Sequence, residues 1–179
     1  QRCGTDYPVW CRIDGIEFLT EGGITHEDAK DTARMAEAAG ADAIHVSSYA
    51  DASKGESFTA AHTTHKPCGF VDYAAGMTSV VNIPVITAGR IEPEIGDRLI
   101  RQGRIDFVTM GRKLLADPEL PRKISDGRAG EIRPCIYCYT CISQIFVNRS
   151  VICAVNARTG REFETVITPA ERPRRILIA

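Results

Sequence analysis

The sequence predicts an α/β chain in which four strand–helix units of a parallel sheet precede a cysteine-rich segment. Three observations carry this. Four short apolar runs, residues 8–13, 42–47, 83–89 and 105–111, are rich in β formers. They lack the in–out alternation of a half-exposed sheet, as suits parallel strands covered on both faces. Helical signals separate them, and four of the seven cysteines crowd into residues 135–153.

In chain order, PVWCRI (8–13) is the first strand, and ITHEDAKDTARMAEAAGA predicts the first helix. Thr25 is an N-cap residue with Asp28 three positions on, the spacing of a capping box. Ala29, Ala33, Ala36 and Ala39 mark a small-residue face, and Gly40 ends the helix. DAIHVS (42–47) is the second strand, with His45 in mid-strand read as a satisfied core histidine. A long polar loop fills residues 48–69. VDYAAGMTSVV predicts a second helix, weakened by Gly76. IPVITAG (83–89) is the third strand. Glu92-Pro93 opens a third helix with proline in its first turn, running to about Gln102. IDFVTMG (105–111) is the fourth strand, and RKLLADPELPRKI continues as short helices.

Polar or glycine residues come at the C-terminal ends of these strands: Arg12, Ser47, Gly89-Arg90 and Gly111-Arg112. That end is the ligand face of a (β/α)8 barrel and of an open doubly wound sheet alike. No G-x-G-x-x-G follows a strand, which disfavours a dinucleotide fold. Four units are half of an eight-unit barrel, and closed barrels take about 250 residues. Two neighbouring strands ending in Gly-Arg point to a phosphate. Glycine lets the backbone approach an anion, a helix N-terminus offers N–H groups, and arginine adds a forked donor. The alternative is turn glycines beside solvated arginines.

Composition narrows the classes further. The chain has 179 residues, a formal charge of −1 and 44% hydrophobic residues. No apolar run is long enough to span a membrane, no leader pattern opens the chain, and no basic block suggests nucleic acid. These features fit a cytoplasmic protein, where clustered cysteines bind metal more often than they form disulfides. Both ends read as interruptions of a longer protein.

The cysteines run Cys135-x2-Cys138-x2-Cys141-x11-Cys153. Thiolates suit iron–sulfur clusters or zinc. Structural zinc sites more often use two separated C-x2–4-C knuckles. Three crowded ligands with a distant fourth are closer to iron–sulfur spacing. The stretch reads as a loop wrapping one corner of a [4Fe–4S] cubane, with zinc, disulfides and free thiols as alternatives. Cys3, Cys11 and Cys68 fit no such pattern, and Cys11, on a strand, reads as a small buried apolar residue.

The order DYPVWCRIDG, GADAIHVS, IPVITAGRI, DFVTMGRKLLADPEL, RPCIYCYTCISQIF and VICAVNARTGRE resembles the iron–sulfur flavoprotein branch of the Old Yellow Enzyme family. That branch includes 2,4-dienoyl-CoA reductase, enoate reductases and trimethylamine dehydrogenase. The resemblance covers nearly the whole chain. It implies the C-terminal half of an FMN-binding (β/α)8 TIM barrel over residues 1–128 and a [4Fe–4S] segment over 129–165. Residues 166–179 would be a linker and, in RRILIA, the first strand of a domain for FAD and NAD(P)H. An N-terminal half-barrel and the rest of the nucleotide-binding domain would then belong to the same chain; homo-oligomerisation is left open.

By matching motif, the resemblance implies that Arg12 meets the pyrimidine edge of the flavin. Gly89, Arg90, Gly111 and Arg112 would hold the FMN phosphate, and Cys135, Cys138, Cys141 and Cys153 the cluster. The implied reaction is hydride transfer between NAD(P)H-reduced FMN and an activated C=C substrate of the enoate or dienoyl type. Oxidation of an amine is the enzymatic alternative. The C-x2-C-x2-C spacing looks like the amine dehydrogenase side, since dienoyl-CoA reductases usually have one residue more between the second and third cysteines. A metal-binding or subunit-contact module without activity is the alternative of another class. The loop SSYADASKGESFTAAHTTHKPCGF lacks the H-E-x-R-like stretch of the dienoyl-CoA reductases. His62 and His65 lie in that region and are the candidate acid–base residues, against a reading as solvated loop histidines.

Overall fold

The computed structural model describes residue 4 and residues 6–50 and 66–177, with backbone only at Tyr49 and Ala50. It contains two compact units, Gln1–Gly111 and Arg112–Ala179.

In the first unit a four-stranded parallel sheet runs in the order β1 (Trp10–Phe18), β2 (Ala43–Ala50), β3 (Val85–Thr87), β4 (Phe107–Val108). The connections carry α1 (His26–Ala38), α2 (Val71–Thr78) and α3 (Pro93–Arg101). Each strand joins beside its predecessor. A doubly wound sheet reverses at a switch point; this one does not, so its order is the one a barrel wall would have.

Local chemistry explains the helices. At α1 the capping box forms in full: Asp28 N–H donates to Thr25 Oγ1 (3.2 Å), and Thr25 N–H donates to Asp28 Oδ2 (2.9 Å). Such a cap is worth about 1 kcal/mol. Ala29 and Ala33 are buried, whereas Ala39 is the exposed C-cap, so the small-residue face stops one turn early. Pro93 opens α3 after Glu92, as its missing N–H permits.

Two glycines correct the expected boundaries. The first strand does not end at Ile13 but continues through Gly15 to Phe18, with a register shift between Asp14 and Glu17. A Cβ on Gly15 would sit 2.9 Å from Tyr73 Cβ. Glycine is there to let the strand pass under α2, and it does not break the strand. Gly76 likewise does not interrupt α2. A Cβ there would overlap His26 Nε2, and His26 Nδ1 in turn lies 3.1 Å from the Gly15 carbonyl.

The core lies on one face of the sheet. Ile44, Val46 and Val85 are fully buried with Met77 and Ile105, alongside Ala33, Ala74 and Leu99. Side chains alternate along a strand, so the other face carries the register row Arg12, His45, Ile86 and Phe107. Arg12 and Phe107 are exposed there. Among the described residues of this unit, no helix packs over that face. The expectation of strands covered on both faces is thus met on one.

The second unit contains α4 (Arg112–Ala116), α5 (Leu120–Ser125), a 3-10 turn (Ala129–Glu131) and α6 (Thr140–Phe146). The expected strand in RRILIA is absent from its described part: residues 174–177 are irregular, and Ile176 and Leu177 are exposed. A lone apolar run has no ladder to join. No described helix is long and apolar enough to cross a membrane.

Candidate cofactor sites

The second unit brings the cysteine motif together. Cys135, Cys138, Cys141 and Cys153 all line one pocket, with Arg112, Tyr137 and Tyr139 among its other walls. All six described cysteines are free thiols, so the disulfide alternative is not realised. Among the described residues, no group of three or more His, Cys, Asp or Glu side chains is placed to hold a metal ion.

Short α4 anchors both ends of this segment. Before Cys135, Arg133 N–H donates to Asp117 Oδ2 (2.8 Å) and Arg133 Nη1 donates to the Ala116 carbonyl (3.0 Å). After Cys153, Asn156 Nδ2 and Thr159 Oγ1 both donate to the Leu115 carbonyl, at 2.8 and 2.9 Å. These carbonyls belong to the helix's last turn and would otherwise lack partners. Asp117 is 3% exposed and also accepts from Lys123 Nζ at 2.7 Å.

Between the anchors, Tyr137 (φ 53) and Tyr139 (φ 65) lie in the left-handed region on either side of Cys138. Such backbone costs a non-glycine residue about 1–2 kcal/mol. Contacts to Arg112 offset part of that cost: its guanidinium stands 5.5 Å from the Tyr137 ring and 5.4 Å from the Tyr139 ring. Left-handed steps of this kind make the anion-binding concavities found around phosphates and iron–sulfur groups. The motif is not all loop, because Cys141 is buried in α6. Burial pushes the Cys141 thiol up from its usual range. The exposed Cys138 is drawn below that range by the Thr140 hydroxyl, 3.2 Å from its sulfur, and by the Thr140 backbone N–H.

In the first unit, Gly89 (φ 110) and Arg90 (φ 56) follow β3, both at positive φ. A Cβ on Gly89 would sit 2.9 Å from the Phe70 ring. The turn is pinned by Cys68 N–H donating to the Gly89 carbonyl at 3.0 Å. A strained arginine just beyond a strand end is the kind of outlier that functional sites retain. At Gly111 a Cβ would meet nothing within 4 Å, so packing does not demand glycine there. Arg112 opens a helix of only five residues, so the helix-dipole part of the phosphate expectation carries little weight.

Arg12 is not at the C-terminal end of its strand, where it was expected, because β1 runs on to Phe18; it is the third residue of this outer strand of the sheet, in register with His45. His45 is not a satisfied core histidine either: it is half-buried, and its Nε2 has no hydrogen-bond partner among the described residues. Burial, and then the Arg12 guanidinium, hold its imidazole below the usual histidine range. Cys11 is half-buried and packs against the core. His62 and His65 lie outside the described residues, as does Cys3. The sequence reading missed Asp117, Arg133, Asn156 and Thr159; the only signal for the last two was the run AVNARTG after Cys153.

Fold and site define a class: a singly wound parallel α/β unit joined to a segment with a four-thiol pocket. The NADH:flavin oxidoreductase / NADH oxidase family matches residues 1–131, and the chain belongs to that family. It is 43% identical over 167 residues to NADH oxidase of Thermoanaerobacter brockii, covering 89% of this chain and 24% of that protein. It is 34% identical over 191 residues to cinnamate reductase of Clostridium sporogenes, covering 99% and 29%. A solved complex of 2-naphthoyl-CoA reductase with 2-naphthoyl-CoA superposes with a TM-score of 0.85 at 31% identity, over 95% of this chain and 26% of that one. The chain thus spans about a quarter of the length of these relatives.

Proposed function

We propose that the intact protein is an FMN- and [4Fe–4S]-dependent oxidoreductase that reduces an activated C=C bond, of the enoate or dienoyl type, with electrons from NAD(P)H. The observation that carries this reading is the meeting of Cys135, Cys138, Cys141 and Cys153 in one pocket, in a chain whose residues 1–131 match the flavin oxidoreductase family. Relatives that reduce cinnamate and 2-naphthoyl-CoA, by their names, support the substrate class.

When bound, FMN would supply hydride chemistry and the cluster single-electron transfer. The chain's own residues would bind and tune these groups. The four thiolates would hold the cluster, on a backbone curled by Tyr137 and Tyr139 and anchored at both ends to α4. Arg12 would stabilise negative charge on the reduced flavin ring. Gly89, Arg90, Gly111 and Arg112 remain the proposed phosphate contacts, and His62 or His65 the proposed acid–base group toward a small-molecule substrate. FAD and the nicotinamide would bind elsewhere in the intact protein, which we place in the cytoplasm.

The test is an anaerobic stopped-flow comparison. NADH or NADPH should bleach the flavin of the intact enzyme, and a cinnamate-type enoate should restore its colour. Bleaching by a secondary or tertiary amine, with no reoxidation by enoates, would select amine oxidation, the reading toward which the C-x2-C-x2-C spacing leans.

A further inference from the structure

Cys138 and Thr140 stand on either side of Tyr139, whose left-handed backbone (φ 65) turns the chain back on itself. Across that turn the Thr140 hydroxyl lies 3.2 Å from the Cys138 sulfur. The Thr140 backbone N–H reaches the same sulfur. In the free thiol either the hydroxyl or the S–H can be the donor. A sulfur that ligates iron is a thiolate and has no proton to give. With a cluster in place the direction is therefore fixed: the hydroxyl donates, and the sulfur accepts twice from one residue. The contact is local to residues 138–140, so it does not depend on the rest of the chain.

We propose that Thr140 is a positioning residue that raises the reduction potential of the cluster by donating its hydroxyl to the Cys138 thiolate. The inference rests on the [4Fe–4S] reading above. Hydrogen bonds to the sulfurs are among the terms that set an iron–sulfur potential. A donor favours the state with more negative charge on the sulfur, which is the reduced one. Uptake of one electron breaks no bond here, and the proton stays on the Thr140 oxygen in both states. Cys138 is exposed, so water takes over part of the contact once the hydroxyl is gone, and the effect to be measured is modest.

The test uses the intact protein, purified without oxygen, with Thr140→Val and Thr140→Ser. Valine keeps the branched shape without the hydroxyl, and serine keeps the hydroxyl. Iron and sulfide are measured first, and the potential is then read by redox titration followed by electron paramagnetic resonance of the reduced cluster. Thr140→Val should hold wild-type iron and sulfide. Its one-electron equilibrium should shift about three- to tenfold toward the oxidised cluster, tenfold being about 59 mV. Thr140→Ser should stay within about twofold of wild type, because the donor is restored. An unchanged potential in Thr140→Val would overturn the proposal, as would an equal fall in both variants. A Thr140→Val protein that loses its cluster would make Thr140 a structural residue and overturn it too. If wild-type protein carries no iron and sulfide, the cluster reading itself fails and this proposal falls with it.

Discussion

The guanidinium of Arg112 stands 5.4 Å from the ring centre of Tyr139, a tyrosine whose backbone is left-handed at φ 65. The strained residue and the cation hold each other. Removing the cation should therefore do more than remove a charge. Arg112→Ala should release FMN on gel filtration, with affinity down on the order of a hundredfold for loss of a charge-assisted phosphate contact. Tyr139→Leu should weaken retention by a smaller factor, since the contact it removes is worth about 0.5–2 kcal/mol. Flavin content after desalting reads both variants, and full retention in Arg112→Ala would remove Arg112 from the flavin site.

Arg12 should behave differently, because it is proposed to face the flavin ring and not its phosphate. Arg12→Ala should keep more FMN than Arg112→Ala but lower the flavin reduction potential, since the reduced anion loses its cation. Redox titration of the two variants separates these roles.

Asp117 and Lys123 predict the stability of the second unit. Burial raises the Asp117 carboxyl, but the Lys123 ammonium and the backbone N–H groups of Arg133 and Glu119 outweigh it and hold the group below the usual carboxylate range. A depressed carboxylate contributes stability above its unfolded pKa of about 3.9, and that contribution is lost as pH falls through the folded value. Asp117→Asn should cost about 1–3 kcal/mol at neutral pH, because the buried carboxylate loses its charge-assisted bonds to Lys123 and to the Arg133 and Glu119 N–H groups, while Lys123 keeps the Glu131 carbonyl. The difference in melting temperature between wild type and variant should shrink below about pH 4. A difference that stays constant down to pH 3 would contradict the assignment.

Gly76→Ala reverses the usual helix rule. Alanine in a helix interior is ordinarily favoured over glycine by about 1 kcal/mol. Here the new methyl would overlap the His26 ring, which packs edge-on against Tyr73 at 5.2 Å. The variant should lose about 1–3 kcal/mol, as overpacked sites do, and adding His26→Ala should recover part of that in a thermal melt.

These residues mark what the sequence made legible. The Thr25–Asp28 cap is local, so three residues of spacing were enough to place it. The order of strands and helices was legible for the same reason, each element carrying its own periodicity and punctuation. The sequence reading ends the first strand at Ile13, short of Gly15, and takes Gly76 as weakening its helix, because the need for glycine at both comes from Tyr73 and His26, which are remote in sequence. The cysteine spacing identified the thiol pocket, but the anchors Asp117, Asn156 and Thr159 act on carbonyls and amides that only the folded chain brings near. Arg12 was found by its motif but misplaced on its strand. The isolation of the His45 nitrogen depends on which side chains border it, and that is a property of sheet register.

The most direct test of the whole account is the metal and flavin content of the intact protein purified without oxygen. Iron, acid-labile sulfide, zinc and FMN should be measured per chain on one preparation. About four iron, four sulfide and one FMN are expected, with iron and sulfide falling together in Cys141→Ser. Zinc without sulfide, or a protein that carries the cluster but neither holds nor takes up FMN, would contradict it.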